Sequence, residues 1–244
     1  MSTDLDADVT LVRNATVLAT VGEATFLVDP LFAERGALPP IDDTPNDRRN
    51  PLVPMPDVDR SHDAVIVTHR HPDHFDEAAR AALDSDVPLF CQPAEADAFV
   101  EEGFTDVRPV EETASFEGVT LHRTPGRHGH GELAELMGPV SGFVLEGDET
   151  LYLAGDTVWY DAVAETLDRF EPDAVVLNGG AARFNQGEPI TMGVDDVAAV
   201  REATDAAVAA VHMEAINHCL LSREELRAEI DDVLVPEDGE RIEC

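Results

Sequence analysis

Residues 68–76 read THRHPDHFD, which sets His69, His71 and His74 beside Asp73 and Asp76. The protein has nine histidines in 244 residues, so three in one short window concentrate metal-ligating groups. The apolar run Ala64, Val65, Ile66, Val67 precedes the cluster, and a pattern of apolar positions at 75, 78, 79, 82 and 83 predicts a helix after it. The order strand, loop, helix puts the cluster at the carboxyl end of a strand, where sites in α/β sheets lie. Neutral imidazoles and carboxylates are the donors that a divalent zinc-like ion takes.

Outward from this stretch the chain alternates short strands and helices. β-branched runs at 9–16, 17–21 and 25–28, with a turn near Gly22, predict an antiparallel meander that ends in Asp29-Pro30. Residues 36–60 carry six prolines and clusters of Asp and Asn. A loop of that length in a compact domain is functional or mobile, and it forms either a flap beside a site or a plain surface excursion. Further strands are expected at 87–91, 104–110, 114–116, 119–123, 143–146, 150–154, 174–177 and 206–211, with helices at 93–100, 159–170 and 194–203. The segment 124–142 is a Gly-rich loop. Ser222 and Glu225 form a capping box for a helix running to 233, and 233–235 with 241–243 suggest a hairpin around Asp238-Gly239. TFLVDP (25–30) and TLYLAGD (150–156) echo one another as strands ending in an acidic residue. Two β-rich halves with helices outside give an α+β fold, a four-layer αββα sandwich, as one domain over 1–244.

Composition bounds the function. Sixteen basic against 51 acidic residues give a net charge of −35, and all sixteen basic residues are Arg. Such a surface repels itself at low ionic strength, and at molar salt the Debye length of about 3 Å removes most of that repulsion. The acidity reads as the solvated surface of a halophile. It disfavours nucleic acid as a partner. Three widely spaced cysteines without a CxxC pair fit a reducing compartment. With no apolar signal core and no membrane-spanning run, a cytoplasmic protein is expected. Its partner is a small-molecule substrate, and its oligomeric state stays open, a homo-oligomer included.

Candidate ligands recur where apolar strands end: His128 and His130, then Asp156, then His212. Alternate residues of an extended loop point one way, so His69 and His71 reach one ion, whereas Asp73 and His74 at the helix start reach another. His128 completes the first set, with His130 as its competitor. His212 completes the second, and Asp156 bridges. Two divalent ions less Asp73, Asp156 and a bridging hydroxide leave one positive charge for an anionic transition state. Asp73 is also the candidate catalytic carboxylate. Glu214 and His218, four apart, would share a face on a helical turn and contact substrate or orient a ligand. Asn178, Arg127 and Arg183 are candidate substrate contacts, and Asp76 is a candidate partner for a ligating imidazole.

THRHPDHFD, GRHG, AGDT and the strand-ending His212 together resemble the ordered motifs of the metallo-β-lactamase superfamily, and within it the metal-dependent hydrolases that include ascorbate-6-phosphate lactonase-like proteins. The resemblance runs from Asp29 to His212. It implies the αββα fold and two metal ions, zinc first with manganese or iron as alternatives. It further implies hydrolysis by metal-bound hydroxide of a small ester, lactone or phosphodiester. It favours His128 over His130 through the GRHG context, and gives Asp29 a supporting role behind the ligands. The alternatives on the same fold are a di-iron oxidoreductase and a non-catalytic, metal-stabilised binding module.

Overall fold

A computed structural model describes residues 8–242. The chain opens with β1 (Asp8–Arg13), β2 (Thr16–Val21) and β3 (Ala24–Val28), an antiparallel meander as the β-branched runs predict. After the long loop come β4 (Ala64–Val67), α1 (Glu77–Ala82) and β5 (Leu89–Cys91). A 3-10 turn (Pro93–Glu95) then leads into α2 (Ala96–Glu101), followed by β6 (Val107–Pro109). The second half has β7 (Thr113–Phe116), β8 (Val119–Pro125), α3 (Gly131–Met137), β9 (Ser141–Glu146) and β10 (Thr150–Leu153). It continues through α4 (Asp161–Phe170), β11 (Ala174–Asn178), α5 (Val194–Ala203) and β12 (Ala207–Val211). It closes with α6 (Arg223–Glu229) and β13 (Arg241–Ile242).

The strands form two sheets, ordered β13-β1-β2-β3-β4-β5-β6 and β12-β11-β10-β9-β8-β7. Each sheet joins an antiparallel meander to parallel strands: β3 to β6 in the first, β10 to β12 in the second. The echo between 25–30 and 150–156 is therefore structural, since β3 and β10 stand at the same switch in their own sheets.

Side-chain alternation assigns the layers. In β4, Ala64 and Ile66 face the core between the sheets, while Val65 and Val67 join Phe75, Phe99 and Phe104 on the outer face under α1 and α2. In β11, Ala174 and Val176 face inward, and Val175 and Leu177 face α4 and α5. Both faces are buried, so these strands read as continuous apolar runs rather than alternating ones. Each fully buried valine contributes about 1.5–3 kcal/mol. The result is the four-layer αββα sandwich.

Several boundaries differ from expectation. Asp76 caps α1, accepting from Ala79 N, so the helix covers Glu77–Ala82 rather than 75–83. The helix capped by Ser222 stops at Glu229. The Gly-rich segment 124–142 contains α3. The expected hairpin of 233–235 with 241–243 does not form: Leu234 bridges Ala209 in the second sheet, whereas Arg241 and Ile242 pair with β1 in the first. Glu243 lies outside the described residues. Among the described residues no helix is long and apolar enough to cross a membrane.

Within each sheet the strands that lead to the site run in one direction and end at one edge: β3 and β4 in the first, β8, β10, β11 and β12 in the second. Ligand sites of open α/β sheets form at such an edge, and every candidate ligand follows one of these ends.

Candidate metal centre

The histidine loop folds back at once. His71 O accepts from His74 N (2.9 Å) and Phe75 N (3.0 Å), so the ring of His74 returns towards His69. Gly155, at φ 66°, turns the chain after β10 and presents Asp156. His212 leaves β12 at φ 59°, and its N–H donates to Asn14 O. The Asn14 amide in turn donates to Asp73 O at 2.9 Å, which ties these two segments together. Close packing behind His212 needs Gly180, where a Cβ would sit 2.1 Å from His212 O.

Three donor groups result, each with ligand atoms within 4.8 Å of one another: His69, His71 and His128; His69, His74 and Asp156; Asp73, His74 and His212. Four of these imidazoles are engaged from behind through Nδ1. The His128 Nδ1–H donates to Ile190 O (2.9 Å), and His212 Nδ1 meets Cys219 Sγ (3.2 Å). Asp29 serves the other two. Its Oδ2 lies 2.8 Å from His74 Nδ1 and accepts from Thr68 Oγ1 (2.7 Å), while Thr68 Oγ1 lies 3.0 Å from His69 Nδ1. With their protons held at the back, the Nε2 lone pairs of these rings point inward. Ligating imidazoles are oriented in this way by carboxylates and carbonyls. Asn178 donates to Asp156 Oδ1 at 2.6 Å and fixes the central carboxylate.

The centre is buried and electrostatically tense. Burial drives His69 well below its ordinary value, and the neighbouring His74 adds to this. Burial also opposes the charged form of His74, yet Asp156, Asp29 and Asp73 outweigh it and hold the imidazole up at about 10, a pull on positive charge that a bound ion would answer in place of the Nε2 proton. For Asp156, burial is overcome by His74, His212 and His128, so the carboxyl stays well below the usual range. Nitrogens face each other at 2.9 Å (His69 Nε2 and His71 Nδ1) and 3.1 Å (His74 Nε2 and His212 Nε2). Lone pairs converging away from water are stabilised by a cation between them. Five imidazoles and two carboxylates suit divalent zinc, manganese or iron, so the residues present fit the expected ions.

Above the centre lies a cavity of about 140 Å³. His71, Asp73, His128 and Asp156 form its polar floor, and Ile41, Met137, Phe184 and Ile190 its apolar walls; Pro72 and His218 complete it. Ile41 comes from the 36–60 loop, which therefore lies beside the site. Asn217 holds that loop: its Oδ1 accepts from Ile41 N and Asn50 Nδ2, and its Nδ2 donates to Thr44 Oγ1 and Asn46 O.

A family model for the beta-lactamase superfamily domain matches residues 24–213. The chain belongs to that superfamily. Its metal-dependent hydrolase branch is marked by the relatives. The UPF0173 protein YddR of Bacillus subtilis is 40% identical, over 96% of this chain and 98% of its own. A UPF0173 metal-dependent hydrolase of Salinibacter ruber is 29% identical over 71% of this chain and 72% of its own. Among solved structures, the isothiocyanate hydrolase from Delia radicum gut bacteria superposes with a TM-score of 0.90 at 37% identity, covering 96% of this chain and 98% of that one.

Within this β-lactamase-superfamily chain, His69, His71, Asp73, His74, His128, Asp156 and His212 converge, with Asp29 and Asn178 behind them. His130 does not join them. Its side chain is 41% exposed and lies 3.8 Å from Glu188. Glu214 and His218 do not share a helical face, because residues 212–218 form no helix and Glu214 itself sits at φ 60°. Glu214 pairs instead with Arg223 at 2.7 Å, while His218 borders the cavity. Asp76 contacts no imidazole; it accepts from Phe32 N and Ala33 N and anchors the chain after Pro30. Arg127 lies over the Tyr160 ring and Arg183 is exposed, and neither lines the cavity. Sequence reading missed Thr68, Asn14, Ile190 and Cys219. Only Thr68 carried a signal, by adjoining the motif.

Proposed function

We propose that the chain holds two divalent ions and hydrolyses a small, uncharged substrate with an apolar tail, with an organic isothiocyanate as the substrate class. The observation that supports this reading most directly is the three overlapping donor groups under an apolar-walled cavity. His69, His71 and His128 would hold one ion and Asp73, His74 and His212 the other, with Asp156 between them. When bound, the ions supply Lewis acidity and a water acidified to near neutrality.

The chain's own residues do the rest. Asp29, Thr68, Ile190 and Cys219 hold the imidazoles in the ligating tautomer, and Asn178 holds Asp156. Asp73 borders the cavity and takes a proton from the attacking water. Ile41, Met137, Phe184 and Ile190 surround the organic tail and exclude bulk water. For an isothiocyanate, the water oxygen bonds to the central carbon and the C=N π pair moves to nitrogen, which takes one proton. The resulting thiocarbamic acid passes its O–H proton to nitrogen as the C–N bond breaks with its electron pair leaving on nitrogen, which gives an amine and carbonyl sulfide.

The isothiocyanate class departs from the sequence-based expectation of an ester, lactone or phosphodiester. No Arg lines the cavity among the described residues, so the charge of a phosphodiester would be met by the ions alone. The similarity to the isothiocyanate hydrolase supports the heterocumulene. The test is turnover of benzyl isothiocyanate by zinc- and manganese-loaded protein, beside ester, lactone and phosphodiester panels. Release of benzylamine is expected. Turnover confined to phosphodiesters contradicts the substrate class, and coloured iron protein with redox turnover favours the oxidoreductase alternative.

A further inference from the structure

His218 is a buried polar side chain that the ligand scheme does not use. It borders the same cavity as His71, Asp73, His128 and Asp156, yet belongs to none of the three donor groups. Only 6% of the residue is exposed, and Nδ1 has no hydrogen-bond partner. A buried polar atom left unpaired costs about 1–3 kcal/mol. A plain packing role at this position would be met better by an apolar ring.

The surroundings place the imidazole beside Phe184 and fix its backbone. Its ring lies parallel to that of Phe184, with an interplanar angle of 4° and centroids 6.4 Å apart. Its carbonyl accepts from Arg183 N at 3.0 Å. The preceding residue is the hub that fastens the 36–60 loop, and the following one is Cys219 behind His212. A side chain that borders the cavity and has a ring nitrogen with no partner of its own has a donor to offer when charge develops on a substrate.

Resting on the hydrolase reading above, we infer that His218 is a catalytic residue that donates an imidazole N–H hydrogen bond to the substrate nitrogen as the C=N π pair moves onto it. The donor then stabilises negative charge on the nitrogen before its proton arrives. Burial pushes the His218 imidazole down to about 4, so the ring is neutral near pH 7 and acts as a dipolar donor. Neutral histidine serves as an electrophile in this manner where its environment disfavours the cation. Phe184, stacked on the ring, also forms the wall against which the organic tail lies.

The experiment compares kcat and KM for benzyl isothiocyanate among wild type, His218→Phe and His218→Asn, each with metal content and thermal midpoint measured. His218→Phe keeps a flat ring against Phe184 and removes the donor. Its kcat should fall about 10²-fold or more, with KM nearly unchanged and both ions retained. His218→Asn restores an N–H and should recover most of that loss. Wild-type kcat in His218→Phe overturns the inference, as does equal loss in both variants accompanied by loss of metal. If metal-loaded wild type itself does not release benzylamine, the hydrolase reading fails first and the inference falls with it.

Discussion

Replacing Asp29 with Asn probes how far the ligands depend on what lies behind them. Asp29 is 1% exposed and accepts three hydrogen bonds: from Thr68 N at Oδ1, and from Thr68 Oγ1 and His74 at Oδ2. Asparagine has the same shape but one NH2 in place of an oxygen. Turned one way, that NH2 confronts Thr68 N–H. Turned the other way, it confronts both the Thr68 hydroxyl proton and His74 Nδ1–H. The second orientation drives the His74 proton to Nε2, where the ring can no longer ligate. Either choice forfeits a charge-assisted hydrogen bond worth about 1.5–3 kcal/mol. At about 1.4 kcal/mol per factor of ten, metal affinity should fall roughly 10–100-fold, the range typical of partners behind ligating histidines. Because Thr68 passes the carboxylate's influence on to His69, both ions should weaken. Dialysis against graded chelator with atomic emission reads the result, and a thermal midpoint confirms that the variant folds. Wild-type affinity for both ions in Asp29→Asn would refute the reasoning.

Gly180→Ala should displace His212, since the new Cβ would meet its carbonyl oxygen at 2.1 Å. The expected outcome is folded protein with one ion lost, and retention of both ions would contradict it. Asn217→Ala should release the 36–60 loop at a cost of about 2–3 kcal/mol, or about 4–12 °C in thermal midpoint. KM should also rise, because Ile41 leaves the cavity wall. Cys91 lies fully buried, and burial with Glu95 nearby pushes its thiol up to about 12. Iodoacetamide at pH 8 should therefore leave Cys91 unmodified in native protein and label it once denaturant is added, as read by peptide mass. Rapid native labelling of Cys91 would show that its strand is open.

The parts of the site that could be read from the chain alone are those whose geometry is local or strand-ended. His69, His71, Asp73 and His74 fall within six residues, and Asp156 and His212 each close an apolar strand. The supporting contacts were not legible because they join distant positions: His128 to Ile190 spans 62 residues and Asp29 to His74 spans 45. Cys219 looks like any buried thiol until His212 is placed against it. The spacing of Glu214 and His218 suggested a shared face, but that inference holds only on a helix, and left-handed backbone at 212 and 214 prevents one. Residues 233–235 and 241–242 were legible as extended chain, yet period-two pattern says nothing about which of two sheets a strand joins. Helix α3 was hidden because it begins on one glycine, 131, and is closed by another, 138.

The central claim is a pair of metal positions that divide the histidine loop between them. It is tested most directly by counting zinc or manganese in wild type, His71→Ala and His212→Ala after loading and desalting. His71 belongs only to the donor group with His69 and His128, and His212 only to the group with Asp73 and His74. The account predicts two ions per chain in wild type and one in each variant, with the two variants binding the remaining ion at different affinities. A single ion in wild type that disappears in both variants would contradict it.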